Sequence, residues 1–340
     1  MINFFNRRSS DNRQSYSDAR AQSCAADDLI IPDYDTQTAL DEDRYNQSSS
    51  SIPHHSTSKT MPQVMAFMGA NGGVGTTSLA TQLAFELAQM CKDKKANSSR
   101  PKDPQVCLID LDFEGGTCAY HLDLLPSLTV EDLTGEAHRI DTTFTSALVS
   151  THQCGVSLLA VPNTPNANQI INPHAIMAML DAASQLYRYV VVDMPRYSQS
   201  WTPAILSGAD FVGLLSELTI SSLHMARETL NRASKDINPA PNLHPILSKY
   251  ERRSFKNTLR LGDAQTVLGQ DIIGTICIDT DTCREAINCG EPIGAIRPDN
   301  RYVKDSRQLI EAIFKSCETN ITSQSLTDET QVNQAKTQAA

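Results

Sequence analysis

The sequence lacks the cysteine spacings that mark metal-binding and disulfide-rich proteins. It has nine cysteines in 340 residues, and none of them forms a C-x-x-C pair. A disulfide framework, a zinc site and a surface iron–sulfur cluster are therefore not indicated. Single, scattered cysteines are typical of reduced thiols, which favours a cytosolic protein.

The sequence also lacks long apolar runs and an excess of positive charge. No run approaches the ~18 consecutive apolar residues that predict a transmembrane helix. The segment Met1–Arg8 lacks the apolar core that a signal peptide requires. The net charge of −10 argues against nucleic-acid binding driven by bulk charge. We therefore predict a cytoplasmic protein with no intrinsic membrane span, and DNA is not an expected partner.

The two ends of the chain are poor in apolar residues. Residues 1–60 are rich in Ser, Asp, Gln, Asn and Arg, and residues 320–340 are also polar. Such segments bury too little apolar surface to offset the entropy of ordering, so both are predicted to be disordered. Residues 62–318 alternate short apolar strands with helical patterns. This alternation predicts an α/β fold, in which a mostly parallel sheet carries helices on both faces.

A glycine-rich turn lies at the beginning of this α/β segment. The apolar run 64–69 is followed by the turn ANGGVG at 70–75 and then by a helical pattern from Thr76. A strand, a glycine-rich loop and a helix in this order form a phosphate-binding P-loop, whose backbone N–H groups surround an oxyanion. The usual P-loop has a lysine where this sequence has Thr76. The loop therefore predicts a nucleotide site without its usual charge.

Three aspartates follow strands of the predicted sheet. Asp110 and Asp112 follow the run from Val106, and Asp193 follows the run from Tyr189. Ligands bind beyond the carboxyl ends of the strands in such sheets, so these aspartates are expected to converge on the glycine loop. Asp193 fits the role of holding Mg²⁺ together with Thr77, and a buried capping aspartate is the alternative.

The pair Asp110 and Asp112 has two interpretations. Strand alternation places the two carboxylates on the same side, where one would orient a water for attack on the terminal phosphate while the other contacts the loop or the metal. A simple turn at the end of the strand is the alternative.

Three motifs resemble those of the MinD/ParA superfamily of P-loop ATPases. Residues 71–77 (NGGVGTT) resemble its deviant Walker A motif, residues 108–112 (LIDLD) its second motif, and residues 191–195 (VVDMP) its Walker B motif. Within the superfamily, the pattern is similar to that of the TadZ/CpaE group of pilus-assembly proteins, whose Walker B aspartate is followed by x-Pro-Arg. The resemblance covers about residues 62–318. It implies a three-layer αβα sandwich that binds ATP and Mg²⁺.

The resemblance also implies a role for each matching residue. Asp110 and Asp112 are candidate catalytic residues, and Thr77 and Asp193 are candidate metal ligands. Lys249, which follows a strand where the superfamily often has Asn-Arg, is a candidate contact to the nucleotide base. The candidate nucleotide-binding residues of the loop are Asn71, Gly72, Gly73, Val74, Gly75, Thr76, Thr77 and Ser78.

The two lysines that the superfamily uses are both missing. One lysine reaches the partner's nucleotide across a homodimer and the other contacts the β- and γ-phosphates, but the matching residues here are Asn71 and Thr76. A charge-assisted hydrogen bond contributes ~1.5–3 kcal/mol, and a cation supplied in trans ~10³–10⁵ in rate. The chain is therefore predicted to bind nucleotide as a homodimer and to hydrolyse it slowly or not at all.

Other basic residues have less specific interpretations. A surface arginine after a strand is the favoured interpretation of Arg196, and replacement of the missing charge is the alternative. The basic cluster Lys249, Arg252, Arg253, Lys256 and Arg260 is interpreted as a solvated face or partner surface rather than a DNA site. No basic amphipathic helix for membrane binding is visible at the carboxyl terminus.

Three classes of function fit these motifs. The favoured class is an ATP-binding dimer that positions or assembles a Tad/Flp-type (type IVb) pilus secretion machine. Its expected partners are the pilus secretion ATPase and the inner-membrane pilus machinery, at the cell pole or at the membrane periphery. The alternative is a cycling ATPase for DNA partitioning or division-site positioning. The third, an iron–sulfur scaffold or reductase of the same fold, is disfavoured by the cysteine spacing.

Overall fold

The computed structural model describes residues 62–95, 105–237, 241, 243–251 and 259–318. These residues form one eight-stranded sheet with helices on both faces. The strands are β1 (Val64–Gly69), β2 (Val106–Asp110), β3 (Ser150–Thr151), β4 (Val156–Leu159), β5 (Tyr189–Asp193), β6 (Phe211–Glu217), β7 (Leu243–Tyr250) and β8 (Gly274–Cys277). The predicted segments 1–60 and 320–340 lie outside the described residues.

The sheet has the strand order β3-β4-β2-β5-β1-β6-β7-β8. All neighbouring strands pair in parallel except β3, which is antiparallel to β4. The predicted α/β fold with a mostly parallel sheet is confirmed. The two-residue edge strand β3 was not predicted, because a run this short has no periodicity.

The helices connect successive strands. They are α1 (Thr76–Lys95), α2 (Cys118–His121), α3 (Thr142–Ala147), α4 (Ala167–Ile170), α5 (Pro173–Leu186), α6 (Thr202–Gly208), α7 (Ile220–Asp236), α8 (Leu261–Leu268), α9 (Thr280–Cys289), α10 (Ile293–Ile296) and α11 (301–318). Helix α8 begins at Leu261, and the segment 252–258 lies outside the described residues. A 3₁₀ turn lies at Glu131–Leu133, between α2 and α3.

Alternating side chains of the central strand divide the core into two layers. Met65 and Phe67 of β1 pack among the buried residues of α1, α9 and α11, whereas Ala66 and Met68 pack among those of α5, α6 and α7. Every residue of β5 is buried, as expected for a strand covered on both faces. The core therefore has the three-layer arrangement of a helix layer, the sheet and a second helix layer.

The strand order places three strand ends side by side. β1 lies between β5 and β6, and β5 lies between β1 and β2. In the register of these parallel pairs, Asp193 is opposite both Phe67 and Asp110. The chain segments that leave β1, β2 and β5 at their carboxyl ends therefore meet at one edge of the sheet, where ligands of open α/β sheets bind.

No helix among the described residues is both long enough and apolar enough to cross a membrane. The described cysteines are free thiols, and four of them are buried: Cys91, Cys107, Cys118 and Cys154. Of these four, Cys118 lies close to the candidate site residues Asp110 and Asp193.

Candidate functional site

The loop between β1 and α1 presents its backbone N–H groups to an open cavity. Ala70 N donates to Leu215 O at 2.8 Å and Leu79 N donates to Gly75 O at 3.0 Å. Between these two residues, none of the backbone N–H groups of residues 71–78 donates a hydrogen bond to the described chain. Gly73 and Gly75 have φ angles of +78° and +90°, which a residue with a Cβ adopts only with strain. The loop thus forms a cradle of unpaired donors at the start of α1, a site suited to phosphate groups.

Thr77 and Asp193 lie together beside this loop. Thr77 is in the first turn of α1 and Asp193 ends β5, and the Thr77 Oγ1 hydroxyl donates to Asp193 Oδ2 at 2.6 Å. Both side chains line the cavity. A hydroxyl and a carboxylate are oxygen ligands of the kind that Mg²⁺ prefers next to phosphates. The donor set therefore fits the predicted metal ion.

Asp110 is buried behind the cavity and holds the segment that follows β2. Its carboxylate accepts from the N–H groups of Asp112 at 3.1 Å and Cys118 at 3.0 Å. A Cβ on Gly116 would come within 2.5 Å of both Asp110 carboxylate oxygens, so only glycine fits there. Asp110 therefore fixes the shape of the turn that carries Asp112.

Asp112 lies in different surroundings from Asp110. β2 ends at Asp110, so the strand alternation that placed both carboxylates on one side does not extend to Asp112. Asp112 is half-buried and lines the cavity with Glu114, and its Oδ1 accepts from Gly115 N at 3.0 Å. Of the two carboxylates, that of Asp112 is the one placed to contact a bound ligand.

A cysteine that the sequence analysis did not single out completes the buried cluster. The Cys118 thiol at the start of α2 lies 3.5 Å from Asp193 Oδ2. The ligand atoms of Asp110, Cys118 and Asp193 all lie within 4.8 Å of one another. Position 118 follows a glycine-rich turn and has no sequence signal, because its neighbour Asp193 is 75 residues away.

Burial controls the charge of this cluster. Burial, with the nearby Asp110 carboxylate as a smaller cause, raises the pKa of Asp193 well above its ordinary value. Burial also raises the pKa of Asp110 to about 6, although two backbone N–H groups stabilise its charged form. Burial likewise raises the pKa of the Cys118 thiol, which keeps this thiol protonated. The site therefore favours a bound cation or a bound proton over bare negative charge.

The main cavity is open, and its charged lining residues are mostly acidic. It has a volume of about 560 Å³. Its acidic lining residues are Asp112, Glu114 and Asp193, and Arg196 is the lining residue with a permanent positive charge. His121 also lines the cavity, and burial lowers the pKa of this imidazole to about 4. A polyphosphate in this cavity would therefore need a metal ion to offset the acidic wall.

Asn71 and Thr76, at the two lysine positions, both face their own chain. The Ser222 hydroxyl of α7 donates a hydrogen bond to Asn71 Oδ1, and Glu217 N donates to Ser222 Oγ at 2.9 Å. A Cβ added to Gly69 would lie 2.9 Å from Thr76 Oγ1, so the Thr76 side chain packs over the end of β1. In this structure, therefore, neither side chain is extended away from the chain.

A smaller cavity lies on the other side of the loop. It has a volume of about 170 Å³ and shares Gly73, Val74, Gly75 and Ser78 with the main cavity. Lys249 lines it and forms an ion pair with Glu217, with 2.8 Å between Nζ and Oε1. The other lining residues are Leu79, Leu215, Ser248, Ile276, Cys277, Ile278, Asp279, Thr280, Cys283 and Tyr302.

The predicted basic cluster is only partly within the described chain. Arg252, Arg253 and Lys256 lie outside the described residues. Lys249 belongs to the smaller cavity, and Arg260 precedes α8, where its backbone N–H donates to Asp263 Oδ2 at 2.7 Å. The described part of the cluster therefore does not form a separate basic surface.

Comparison with known proteins identifies the fold. No protein-family model matches the chain. The septum site-determining protein MinD of Bacillus subtilis (strain 168) is 24% identical over 251 residues, which are 71% of this chain and 85% of that protein.

Solved structures of ParA and MinD proteins also match the fold of this chain. The ParA family ATPase of Chlorobium tepidum TLS matches with a TM-score of 0.63 and 20% identity, over 74% of this chain and 98% of that chain. The cell division ATPase MinD of Pyrococcus furiosus matches with a TM-score of 0.60 and 18% identity, over 75% and 99%. MinD of Pyrococcus horikoshii OT3, complexed with Mg-ADP, matches with 0.59 and 17%, over 74% and 96%. The chain has the fold of MinD/ParA P-loop ATPases.

Proposed function

We propose that this chain is a MinD/ParA-like protein that binds ATP with Mg²⁺ and hydrolyses it slowly or not at all. One observation carries the proposal: a loop of unpaired N–H groups at the start of α1 lies directly beside the hydrogen-bonded pair Thr77 and Asp193. The fold and the Mg-ADP bound to a protein of the same fold agree with this ligand.

Each part of the site has a role in this proposal. The N–H groups of residues 71–78 bind the phosphates, and Thr77 with Asp193 holds the metal. When bound, Mg²⁺ neutralises phosphate charge and polarises the phosphoryl oxygens. Asp112 orients water at the cavity wall, and Asp110 acts as a positioning residue that fixes the turn carrying Asp112.

The smaller cavity is the place proposed for the nucleotide base. It touches the same loop from the side opposite the carboxylates, and Lys249 lies on its wall. The Lys249 charge is already paired with Glu217, so its aliphatic stem is the part available to pack against a base.

Slow hydrolysis follows from the residues at the two lysine positions. Asn71 is neutral and hydrogen-bonded to Ser222 of its own chain. Thr76 cannot supply charge to a transferring phosphoryl group. Backbone donors and the metal remain, so binding should be retained while stabilisation of the transition state is reduced.

The test is nucleotide binding by the full chain, measured by calorimetry with ATP in Mg²⁺ and in EDTA, alongside phosphate release and sedimentation. We expect binding that requires Mg²⁺, slow phosphate release, and a homodimer with ATP. Failure to bind ATP at millimolar concentration would refute the binding proposal. Turnover in the normal range of ParA-type ATPases would refute slow hydrolysis.

For the cellular role, we propose that the dimer positions or assembles a Tad/Flp-type pilus secretion machine. Support comes from the motifs around Asp193 and Arg196, which resemble those of TadZ/CpaE proteins. The partners in this proposal are a pilus secretion ATPase and inner-membrane pilus proteins, with the chain in the cytoplasm, at a pole or at the membrane periphery. Loss of pili on deletion of the gene, with normal DNA segregation, would support it.

A cycling ATPase for DNA partitioning or division-site positioning is the second candidate. Its support is the similarity to the septum site-determining protein MinD of Bacillus subtilis. A neighbouring gene for a partition-site-binding protein, together with fast turnover, would favour this candidate over the pilus role.

A further inference from the structure

We infer that Arg196 supplies, from the same chain, the cation that binds the terminal phosphate of the nucleotide. The inference rests on the proposed ATP-binding function and adds a residue that discriminates ATP from ADP. It is carried by the position of the guanidinium group, by its lack of a partner within the described chain, and by the side of the loop on which it lies.

The chain after β5 brings Arg196 onto the glycine loop. Met194 N donates to Phe67 O at 2.9 Å, so the segment stays attached to β1 for one residue beyond Asp193. Arg196 follows two buried residues, Met194 and Pro195. A Cβ on Gly72 would lie 3.2 Å from Arg196 Nη1, so the guanidinium rests where position 72 has no side chain.

The Arg196 guanidinium is free to bind an anion. Within the described chain the guanidinium forms no ion pair and no hydrogen bond, and Arg196 is exposed. It lies over the ring of Tyr197, with 4.9 Å between Cζ and the ring centroid. This contact with the ring does not use the guanidinium N–H groups as hydrogen-bond donors to the described chain. By contrast, the Lys249 ammonium on the other side of the loop is paired with Glu217 at 2.8 Å.

The side of the loop identifies the part of the nucleotide that Arg196 contacts. Arg196 lines the main cavity together with Thr77, Asp112 and Asp193, and it does not line the smaller cavity that we assign to the base. A nucleotide bound across the loop with its base in the smaller cavity directs its last phosphate toward the main cavity. Arg196 is therefore placed for the terminal phosphate rather than for the base or the ribose.

A planar guanidinium suits this task better than an ammonium group. Its N–H groups form a fork that binds two phosphate oxygens at once, which favours a terminal phosphate with several free oxygens. The positive charge also offsets the nearby carboxylates of Asp112 and Glu114, which would otherwise repel that phosphate.

The test compares three variants of the full chain: Arg196→Ala, Arg196→Lys and Arg188→Ala. Arg188 is the matched control, because it is also exposed and also lies over the ring of the next residue, Tyr189, at 5.4 Å, but it precedes β5 at the opposite edge of the sheet. Calorimetry with Mg·ATP and Mg·ADP gives both affinities, and thermal unfolding shows whether each variant is folded.

Arg196→Ala is expected to weaken ATP binding by about tenfold to a hundredfold, the range for a hydrogen-bonded charge. ADP binding should change by less than about threefold, since the contacted phosphate is absent from ADP. Arg196→Lys should recover part of the ATP affinity, and Arg188→Ala should leave both affinities unchanged.

Two results would overturn the inference: unchanged ATP affinity in folded Arg196→Ala, or equal losses for ATP and ADP. Failure of the unaltered chain to bind ATP would be a different result, because it would refute the proposed function itself. The unaltered chain is therefore measured first.

Discussion

The two sides of the glycine loop differ in size, charge and composition. The main cavity of about 560 Å³ is lined by three carboxylates, Arg196 and the Thr77 hydroxyl. The smaller cavity of about 170 Å³ has one carboxylate, that of Asp279, and more apolar side chains and thiols. The basic residue of the smaller cavity is neutralised within the chain, and that of the main cavity is not. The difference supports the proposal that metal and phosphate bind in the main cavity and the base in the smaller one.

Asp193→Asn should have the largest effect on the difference between the two cavities, because it removes the carboxylate that we propose holds the metal. We expect affinity for ATP in Mg²⁺ to fall by about tenfold to a hundredfold, as for loss of a charged hydrogen-bonding partner. The free energy of unfolding without metal should not fall, because the raised pKa of Asp193 shows that the fold disfavours its charged form. Calorimetry and chemical unfolding measure the two effects.

Asp210→Asn is the matched control for this change. Asp210 Oδ2 accepts from the N–H groups of Gln63 and Val64 at 2.8 Å each, at the amino end of β1. We expect this variant to lose stability and to keep its Mg²⁺-dependent binding. Loss of Mg²⁺ dependence in both variants would show that the effect is not specific to the cavity.

His121 in the wall of the main cavity makes the free energy of unfolding depend on pH. Burial lowers the pKa of His121 from 6.5 to about 4, so between these values the unfolded chain binds a proton that the folded chain does not. The contribution of His121 to stability is therefore lost as the pH falls from 6.5 to 4, by up to about 1.4 kcal/mol per pH unit.

Comparison with His121→Gln isolates this contribution, because buried acids change stability with pH in the opposite direction. The free energy of unfolding is measured for both proteins between pH 4 and 7. The variant should lose less stability on acidification than the unaltered chain. Parallel curves for the two proteins would contradict the assigned burial effect.

Gly73→Ala tests one of the loop residues that both cavities share. A Cβ at position 73 meets no atom within 4 Å, so the expected cost comes from its φ of +78° alone. That conformation costs a residue with a Cβ ~1–2 kcal/mol. Gly262→Ala in α8 also meets no atom and has no positive φ, and it should be neutral or stabilising by ~0.4–1 kcal/mol. Equal unfolding midpoints for the two variants would contradict the strain.

Lys249→Ala should have the smallest effect. The ion pair with Glu217 is partly exposed, and such pairs contribute ~0–1 kcal/mol to stability. ATP and ADP affinities should change by the same small factor, because the smaller cavity does not receive the terminal phosphate. A selective loss of ATP affinity, measured by calorimetry, would reverse the assignment of the two cavities.

The sequence was sufficient for features that depend on local pattern. The run before Asp193 predicted a strand, and the glycine-rich turn at 70–75 predicted a phosphate-binding loop. Strand ends then placed Thr77 and Asp193 in one site, because parallel strands share a carboxyl edge. Their hydrogen bond at 2.6 Å agrees with that placement.

Features that depend on distant packing could not be predicted in this way. The Ser222 hydroxyl that contacts Asn71 is 151 residues away along the chain. The contact of Arg196 with Gly72 requires the segment after β5 to stay attached to β1, which no periodicity signals. Strand alternation also could not predict where the Asp112 side chain lies, because β2 ends at Asp110.

The buried acids Asp110 and Asp193 link the proposed metal site to protons. Both carboxylates have raised pKa values, so they keep protons at a pH where exposed aspartates have lost them. A cation that binds at Asp193 needs the deprotonated carboxylate, and its binding therefore releases protons into the buffer. The apparent affinity for the cation should rise with pH, and the heat of binding should depend on the ionisation enthalpy of the buffer. Two buffers at one pH are enough to count the protons released.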